Sequence, residues 1–372
     1  MDAPLVAIAA AARTAPVDLD AARLLLADHI ACAWDRSAPE ASSVVALAIR
    51  GHRGDRDDIY WPARIHPGSV VWPVVLSVPS VPGRCVAAAA AAGYEAAAVT
   101  ATWLGEAAAR RWHTTAVAGQ AGAAAAAAVL LAGRRDPEAI AAAVGLALTT
   151  AGGVGQTMRE RSPAAAWHRA AAASAGLEAA RAAAWGLTPP EAVLSGDAGV
   201  GALFGAAGEE PRPLAALGAT SIRPYPVNGF AQSAVAALLA LRSGSAALEG
   251  LEVAVAPQVA VAAGAERGWW SLAETVARVW ASPDPFRLEQ PGSGAPPVRI
   301  HVESRPVESA RVWPSGRPDE AVEVSVPPGG PGPERQALAE RKWAADADLM
   351  WTLAGAAVDD GDTTAARRAL GV

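Results

Sequence analysis

Residues 114–133 read TTAVAGQAGAAAAAAVLLAG, and the fold turns on whether this stretch lies in lipid or in protein. Its length suits a membrane span. Alanine contributes little to transfer into lipid, however, and Gln120 and the paired threonines Thr114 and Thr115 sit inside the stretch. The spacing therefore predicts a buried, tightly packed helix, and no membrane partner. Small side chains let neighbouring helices approach closely, so the surroundings are expected to be a compact helical bundle.

Working outward, DLDAARLLLADHIACAW (18–34) begins at an acidic cap, Asp18 or Asp20, and carries apolar residues at helical spacing. Further helices are expected at 69–80 (interrupted by Pro73), 85–110, 136–151, 163–185 and 190–203. In the 136–151 helix Asp136 is the cap and Pro137 takes the first position. The texture changes after GAAGEEPRPLAALGAT (205–220). LEVAVAPQVAVAA (251–263), VRIHVESRP (298–306) and EAVEVSVP (320–327) alternate like strands, with helical stretches at 229–243 and 269–281 between them. Proline- and glycine-rich joints fall at 282–297 and 326–333, and 334–357 returns to helix. The expected fold is mainly α with an α+β lid. Residues 1–217 and 334–372 form the helical domain, and 218–333 form the inserted lid domain.

Charge and cysteine usage narrow the function classes. The net charge of −6 comes with no dense run of Lys or Arg, so a nucleic-acid partner is not expected. Cys32 and Cys85 fit neither a disulfide framework nor a metal knuckle and read as small buried thiols. The start MDAPLVAIAAAART has an acid where a secretory signal needs a base, which points to a cytoplasmic protein. Lys342 is the only lysine, so lysine-based covalent chemistry would have to use it.

The densest polar cluster is GHRGDRDDIYWPARIHPGS (51–69), with His52, Asp55, Asp57, Asp58 and His66 in a loop marked by glycine and proline. A carboxylate beside a histidine orients the ring and fixes its tautomer, which is what general acid–base work requires. A solvated acidic loop is the blander alternative. No H-x₃-H or HExxH spacing supports a metal, no G-x-S-x-G elbow supports a serine nucleophile, and AGGVGQ (151–156) lacks the Lys-Ser/Thr ending of a phosphate loop. RRWHTTAVAG (110–119) puts His113 at the entrance to the alanine helix, with Thr114 or Thr115 as its cap. SPAAAWHRAAAASAG (162–176) sets Trp167, His168 and Arg169 in an otherwise featureless helix; on its own it suggests a packed Trp beside a surface His–Arg pair. IRPYPVNGF (222–230) presents Arg223 and Tyr225 from a stiff Pro-Tyr-Pro segment.

Taken in order, ARLLLADHIACAW, GHRGDRDD…HPGS, GYEAA (93–97), WHTTAVAG, AWHRAAAASAG, IRPYPVNGFAQSAV, WWSLAETVA and PGPERQALAERKW resemble the successive motifs of the MmgE/PrpD family. That family includes 2-methylcitrate dehydratases, cis-aconitate decarboxylases and iminodisuccinate epimerases. The resemblance implies a helical domain plus an α+β lid with the active site in a cleft, a homodimer, and cofactor-free chemistry. The chemistry is proton removal next to a carboxylate, followed by loss of water or carbon dioxide or by reprotonation. It also implies roles: Asp55 matches the family's catalytic-loop aspartate, His66 its HPS histidine, and His52, His113 and His168 further motif histidines.

This sequence departs from the family's pattern where substrate carboxylates would be held. Ala165 stands where the family has an active-site lysine, Arg223 replaces a second lysine, and Ile59 replaces a threonine. Gly229, Gln232 and Glu274 replace an arginine, a histidine and a tyrosine. A charge-assisted hydrogen bond contributes about 1.5–3 kcal/mol, so losing several weakens binding of a polycarboxylate severely. With thirteen tryptophans, the expectation is a small-molecule substrate that is less acidic and more hydrophobic, as in specialised metabolism. It would undergo elimination, isomerisation or cyclisation. His66 oriented by Asp55 is expected as the base and His113 as the acid or relay. His52, Asp58, His168, Arg223 and Tyr225 are expected on substrate, with no metal and no cofactor. The alternatives are a polycarboxylate dehydratase or decarboxylase with Arg159, Arg161 or Arg169 as replacement anchors, and a catalytically silent homologue.

Overall fold

The computed structural model describes residues 2–34, 44–52, 54–78, 85–242, 248–263, 271–282, 284–288 and 296–371. Within them the chain separates into two compact units. The first is helical and comprises 1–53, 57–220 and 345–372. The second comprises 54–56 and 221–344 and carries the sheet.

The helical unit begins with α1 (Ala3–Thr14), α2 (Leu19–Ala33), α3 (Val44–His52), α4 (Gly68–Ser77), α5 (Cys85–Ala109) and α6 (Thr114–Ala132). It continues with α7 (Pro137–Leu148), the short α8 (Gln156–Arg159), α9 (Ala164–Ala184), α10 (Val200–Phe204) and α11 (Ala216–Ala219). Among the described residues two helices, α5 and α6, are long and apolar enough to cross a membrane by length and composition. In the fold α6 is the central core helix, packed on α5, α9, α7 and α4, with Ala116–Leu130 buried throughout. Glycine permits the closest of these contacts. A Cβ on Gly122 would stand 2.6 Å from the Gly93 carbonyl oxygen of α5, so the two backbones meet where neither residue has a side chain. Gln120 is accommodated in this core because its amide donates to the Ala147 carbonyl at 2.7 Å.

The chain's end returns to this unit. The final helices, over Ala347–Asp359 and Thr364–Leu370, pack on α2, and the Arg23 guanidinium of α2 pairs with Asp359 at 2.6 Å.

The sheet-bearing unit holds α12 (Gln232–Arg242), β1 (Leu251–Val255), α13 (Pro257–Ala263), α14 (Leu272–Ala281), β2 (Val298–Val302), β3 (Ala310–Pro314), β4 (Val322–Val324) and α15 (Glu334–Trp343). The last two helices, α16 (Ala347–Asp359) and α17 (Thr364–Leu370), belong to the first unit. The strand order is β2-β1-β3-β4, with β1 parallel to β2 and antiparallel to β3, and β3 antiparallel to β4. Leu251, Val253 and Val255 of β1 join Leu238, Val276 and Val279 in the core beneath the sheet. The protein is thus mainly helical with a small β-sheet insertion between helical chain ends that contact each other.

Three local expectations change. Only Val200–Phe204 of the helix expected over 190–203 forms, because the Asp2 carboxylate takes the amides of Leu194 and Ser195 and holds that segment in turns. The second half of 251–263 is helix rather than strand, since Pro257 starts a new turn. α15 stays with the sheet-bearing unit, where Leu338 packs on its core, so the division falls one helix later than expected. Residues 269–270 of the helical stretch expected at 269–281, and much of the joint at 282–297, lie outside the described residues, as does Arg53.

Candidate active site

The loop between α3 and α4 sets one carboxylate against two imidazoles and, from α9, a guanidinium. His52, at the end of α3, places Nδ1 3.1 Å from Asp57 Oδ1. Asp57 Oδ2 lies 3.7 Å from His66 Nδ1 and 3.7 Å from Arg169 Nε. The Asp57 carboxylate is almost wholly buried, as is the guanidinium of Arg169. A buried carboxylate facing a guanidinium and two imidazoles offsets desolvation that none of these groups would survive alone.

The His66 ring also makes a closer contact. Its Nδ1 stands 2.6 Å from the backbone carbonyl oxygen of Asp58. A carbonyl only accepts, so Nδ1 carries the proton and the neutral ring keeps its lone pair on Nε2. The residue is held at its backbone too: its amide donates to Thr115 Oγ1 at 3.3 Å, and its carbonyl accepts from the Ser69 hydroxyl at 2.8 Å.

Asp58 turns inward. Its Oδ1 accepts from the Gly68 amide at 3.0 Å, at the start of α4, and its Oδ2 accepts from the Tyr94 hydroxyl at 2.5 Å. Burial pushes this carboxyl up to about 7, with the nearby Asp57 acting the same way and the Tyr94 and Gly68 hydrogen bonds opposing. Tyr94 is raised well above the usual phenol range, by burial and then by the Asp58 charge. The sequence expectation put Asp58 on substrate. In the structure both of its carboxylate oxygens accept hydrogen bonds from within the fold.

His113 begins α6, and its backbone amide donates to the Gly153 carbonyl at 2.8 Å beside a Trp112–Val154 bridge. It therefore occupies the capping position expected of Thr114 or Thr115, and the 151–156 loop serves to pair with it. His113 Nδ1 meets His168 Nδ1 at 3.2 Å, so one proton is shared between the rings as donor and acceptor. Burial lowers His113 well below the usual imidazole range, and Arg169, His168, His66 and His52 add to the effect. His168 is lowered by burial and by Arg169. Both rings are neutral at neutral pH.

The stretch at 162–176 reverses the blander reading of it. Trp167 is the exposed member at 58 %, His168 reaches His113, and Arg169 is buried at 2 %. Arg169 Nη1 donates to the Ala165 carbonyl at 3.3 Å, so its guanidinium folds back over the turn where the family's lysine would stand.

Asp55, Arg223 and Tyr225 lie in the sheet-bearing unit. Arg223 Nη1 donates to Asp55 Oδ1 at 2.6 Å, and Arg223 is buried. Asp55 was expected to orient His66. Within the helical unit the carboxylate beside the His66 ring is Asp57, while Asp55 pairs with Arg223. Gly54 and Asp55 both adopt left-handed backbone, at φ 80 and 54. Tyr225 is buried against Phe286, with ring centroids 5.4 Å apart, and burial raises its phenol.

The residues that single-residue reasoning did not reach are Asp57 as the shared carboxylate and Tyr94, and Arg169 was reached only as an alternative anchor. A tyrosine and an arginine each set in a run of alanines are the available signals. No curated protein matches the chain. Residues 30–211 match the MmgE/PrpD N-terminal domain, a stretch that contains His52, Asp57, Asp58, His66, His113 and His168, so this region of the chain is similar to that family.

Proposed function

We propose that this chain is a cofactor-independent acid–base enzyme, a lyase or an isomerase with cyclisation included. Its substrate in this reading is less acidic and more apolar than the small acids handled in the MmgE/PrpD family. The observation that carries the reading is the His66 ring, whose Nδ1 is committed to the Asp58 carbonyl, leaving a lone pair fixed on Nε2. Such a lone pair can remove a proton from carbon next to a carbonyl, and a positioned base contributes about 10²–10⁴-fold. His113, neutral and sharing a proton with His168, suits a relay: one ring accepts at one nitrogen and releases from the other. His52 and His168 remain candidates for substrate contact. In the sheet-bearing unit Asp55 holds the Arg223 guanidinium, and Arg223 with Tyr225 would steady an enolate-like oxygen.

The substrate part of the proposal is supported by charge. In the helical unit Arg169 faces Asp57, and in the other unit Arg223 is paired with Asp55. Both of these cations face a carboxylate, which favours a substrate that brings little negative charge of its own. Ala165 and Ile59, both buried, remove two polar groups from the family's pattern. One observation favours the polycarboxylate alternative: the Arg169 guanidinium lies over the Ala165 turn and could stand in for the absent lysine.

A substrate panel separates the two. Cis-aconitate and 2-methylcitrate are compared in D₂O with their neutral esters and with cyclic and acyclic ketones, following deuterium uptake by NMR. The proposal expects uptake with the neutral compounds and little with the free acids. Faster uptake or turnover with the free acids would establish the polycarboxylate alternative in its place.

A further inference from the structure

Tyr94 lies in the α5 core, well away from the chemistry-bearing loop in sequence, yet it is built into the support of His66. Its hydroxyl donates to Asp58 Oδ2 at 2.5 Å, and its ring meets Trp72 of α4 edge-on at 6.0 Å between centroids. The other Asp58 oxygen receives the Gly68 amide at 3.0 Å. Asp58 is therefore pinned from two sides, by α5 through Tyr94 and by the first residue of α4 through Gly68. Its own backbone carbonyl is the acceptor of the His66 Nδ1 proton at 2.6 Å.

Gly68 shows how closely this arrangement is fitted. A Cβ there would stand 2.4 Å from Asp58 Oδ2 and 2.6 Å from the Tyr94 hydroxyl. Real Cβ atoms do not approach so near, so the absence of a side chain at this position is a requirement of the clamp. The clamp also closes a ring through the chain: Asp58 holds Gly68, and Gly68 follows His66 by two residues.

We propose that Tyr94 and Asp58 are positioning residues that fix the tautomer and orientation of His66 by holding the Asp58 carbonyl in place. The proposal takes its functional meaning from His66 as the base, but it is read without substrate. Loss of the Tyr94 hydroxyl frees the Asp58 side chain, the loop relaxes, and the His66 Nδ1–H loses its fixed acceptor. The ring then takes up the Nε2–H form that free imidazole prefers, and the lone pair moves to the wrong nitrogen. Asp58→Asn retains the clamp, because its amide oxygen accepts from Gly68 and its NH₂ donates to the Tyr94 oxygen.

The test is a long-range ¹H–¹⁵N correlation on the full-length protein with labelled histidines, the His66 signals being assigned with His66→Gln. The wild-type ring is expected in the Nδ1–H form, with a scalar coupling across the hydrogen bond to the Asp58 carbonyl carbon. In Tyr94→Phe and Asp58→Ala the ratio of forms is expected to move roughly tenfold toward Nε2–H, the size of one hydrogen bond. In Asp58→Asn it is expected to stay as in the wild type. An unchanged tautomer in folded Tyr94→Phe and Asp58→Ala overturns the proposal, and so does a wild-type ring in the Nε2–H form. Should Tyr94→Phe or Asp58→Ala lose its fold, the wild-type tautomer and coupling together with Asp58→Asn still decide. Because no turnover enters the readout, a correct tautomer in a protein inactive on every substrate would leave the clamp standing and count against His66 as base.

Discussion

Replacing Asp58 with asparagine removes a buried ionisation while keeping both hydrogen bonds of the side chain. In the folded protein this carboxyl titrates at about 7 instead of the ordinary 3.8, chiefly through burial. Below pH 4 both the folded and the unfolded chain hold the proton, and the residue costs nothing. As pH rises from 4 to 7 the unfolded chain releases its proton and the folded chain does not, so stability falls by about 1.4 kcal/mol per pH unit. The accumulated cost is about 4 kcal/mol at pH 7 and stays at that level above it. His29 works in the opposite direction. Burial lowers it to about 4 from 6.5, so its contribution is present above pH 6.5 and is lost on acidification, an effect of about 3 kcal/mol. In the wild type the two nearly offset each other between pH 4 and 6.5. In Asp58→Asn the histidine effect is uncovered, and His113 and His168, both lowered, add to it. Urea unfolding of both proteins from pH 4 to 8 reads the difference directly. Asp58→Asn is expected to gain about 4 kcal/mol on the wild type between pH 4 and 8, and to lose stability steadily on acidification. A difference between the two proteins that does not change with pH would refute the reasoning.

The same geometry sets other expectations. Arg169→Met leaves the Asp57 carboxylate without its buried guanidinium partner, a change worth about 3–5 kcal/mol of stability in a denaturant titration. It is also expected to raise the His113 titration midpoint followed by NMR, since Arg169 is one of the charges that depress it. A His113 midpoint that stays put would contradict the described arrangement. Gly68→Ala pushes a methyl group into Asp58 and Tyr94 and is expected to cost about 1–3 kcal/mol, visible as a lowered Tm; Gly152→Ala, with open space around it, is the control and should leave Tm unchanged.

How much of this was legible in the sequence depends on how local the deciding interaction is. The identity of α6 as a core helix followed from its own composition, because alanine packs well and leaves lipid little to gain. The helix expected over 190–203 failed for a reason outside its window, the Asp2 side chain from the other end of the unit. The strand β3 went unread because ARVWP is short, and what makes it a strand is its pairing with β1 and β4, distant in sequence. In the loop, the set His52, Asp55, Asp57, Asp58 and His66 was apparent from residue types alone. Which carboxylate serves which imidazole was not, since Asp57 and Asp58 are adjacent in sequence and only the folded loop shows that the Asp57 side chain faces the rings. The burial of Arg169 was hidden by the alanines themselves. It is in helical phase with the buried Ala165, Ala172, Ala173 and Gly176, while Trp167 is out of phase, but a helix that is alanine on every side gives no polarity from which to read the phase. The family resemblance rested on the order of motifs, and the departures at Ala165 and Ile59 are the basis for expecting a changed substrate without naming it.

The most direct test of the account follows deuterium uptake from D₂O at the carbon next to a carbonyl, using the neutral substrate panel with wild-type protein, His66→Ala and His66→Gln side by side. The account expects uptake by the wild type that falls by about 10²–10⁴-fold in both variants while their fold, judged by circular dichroism, is retained. Uptake that persists at the wild-type rate in a folded His66→Ala protein would contradict it and move the base to another group.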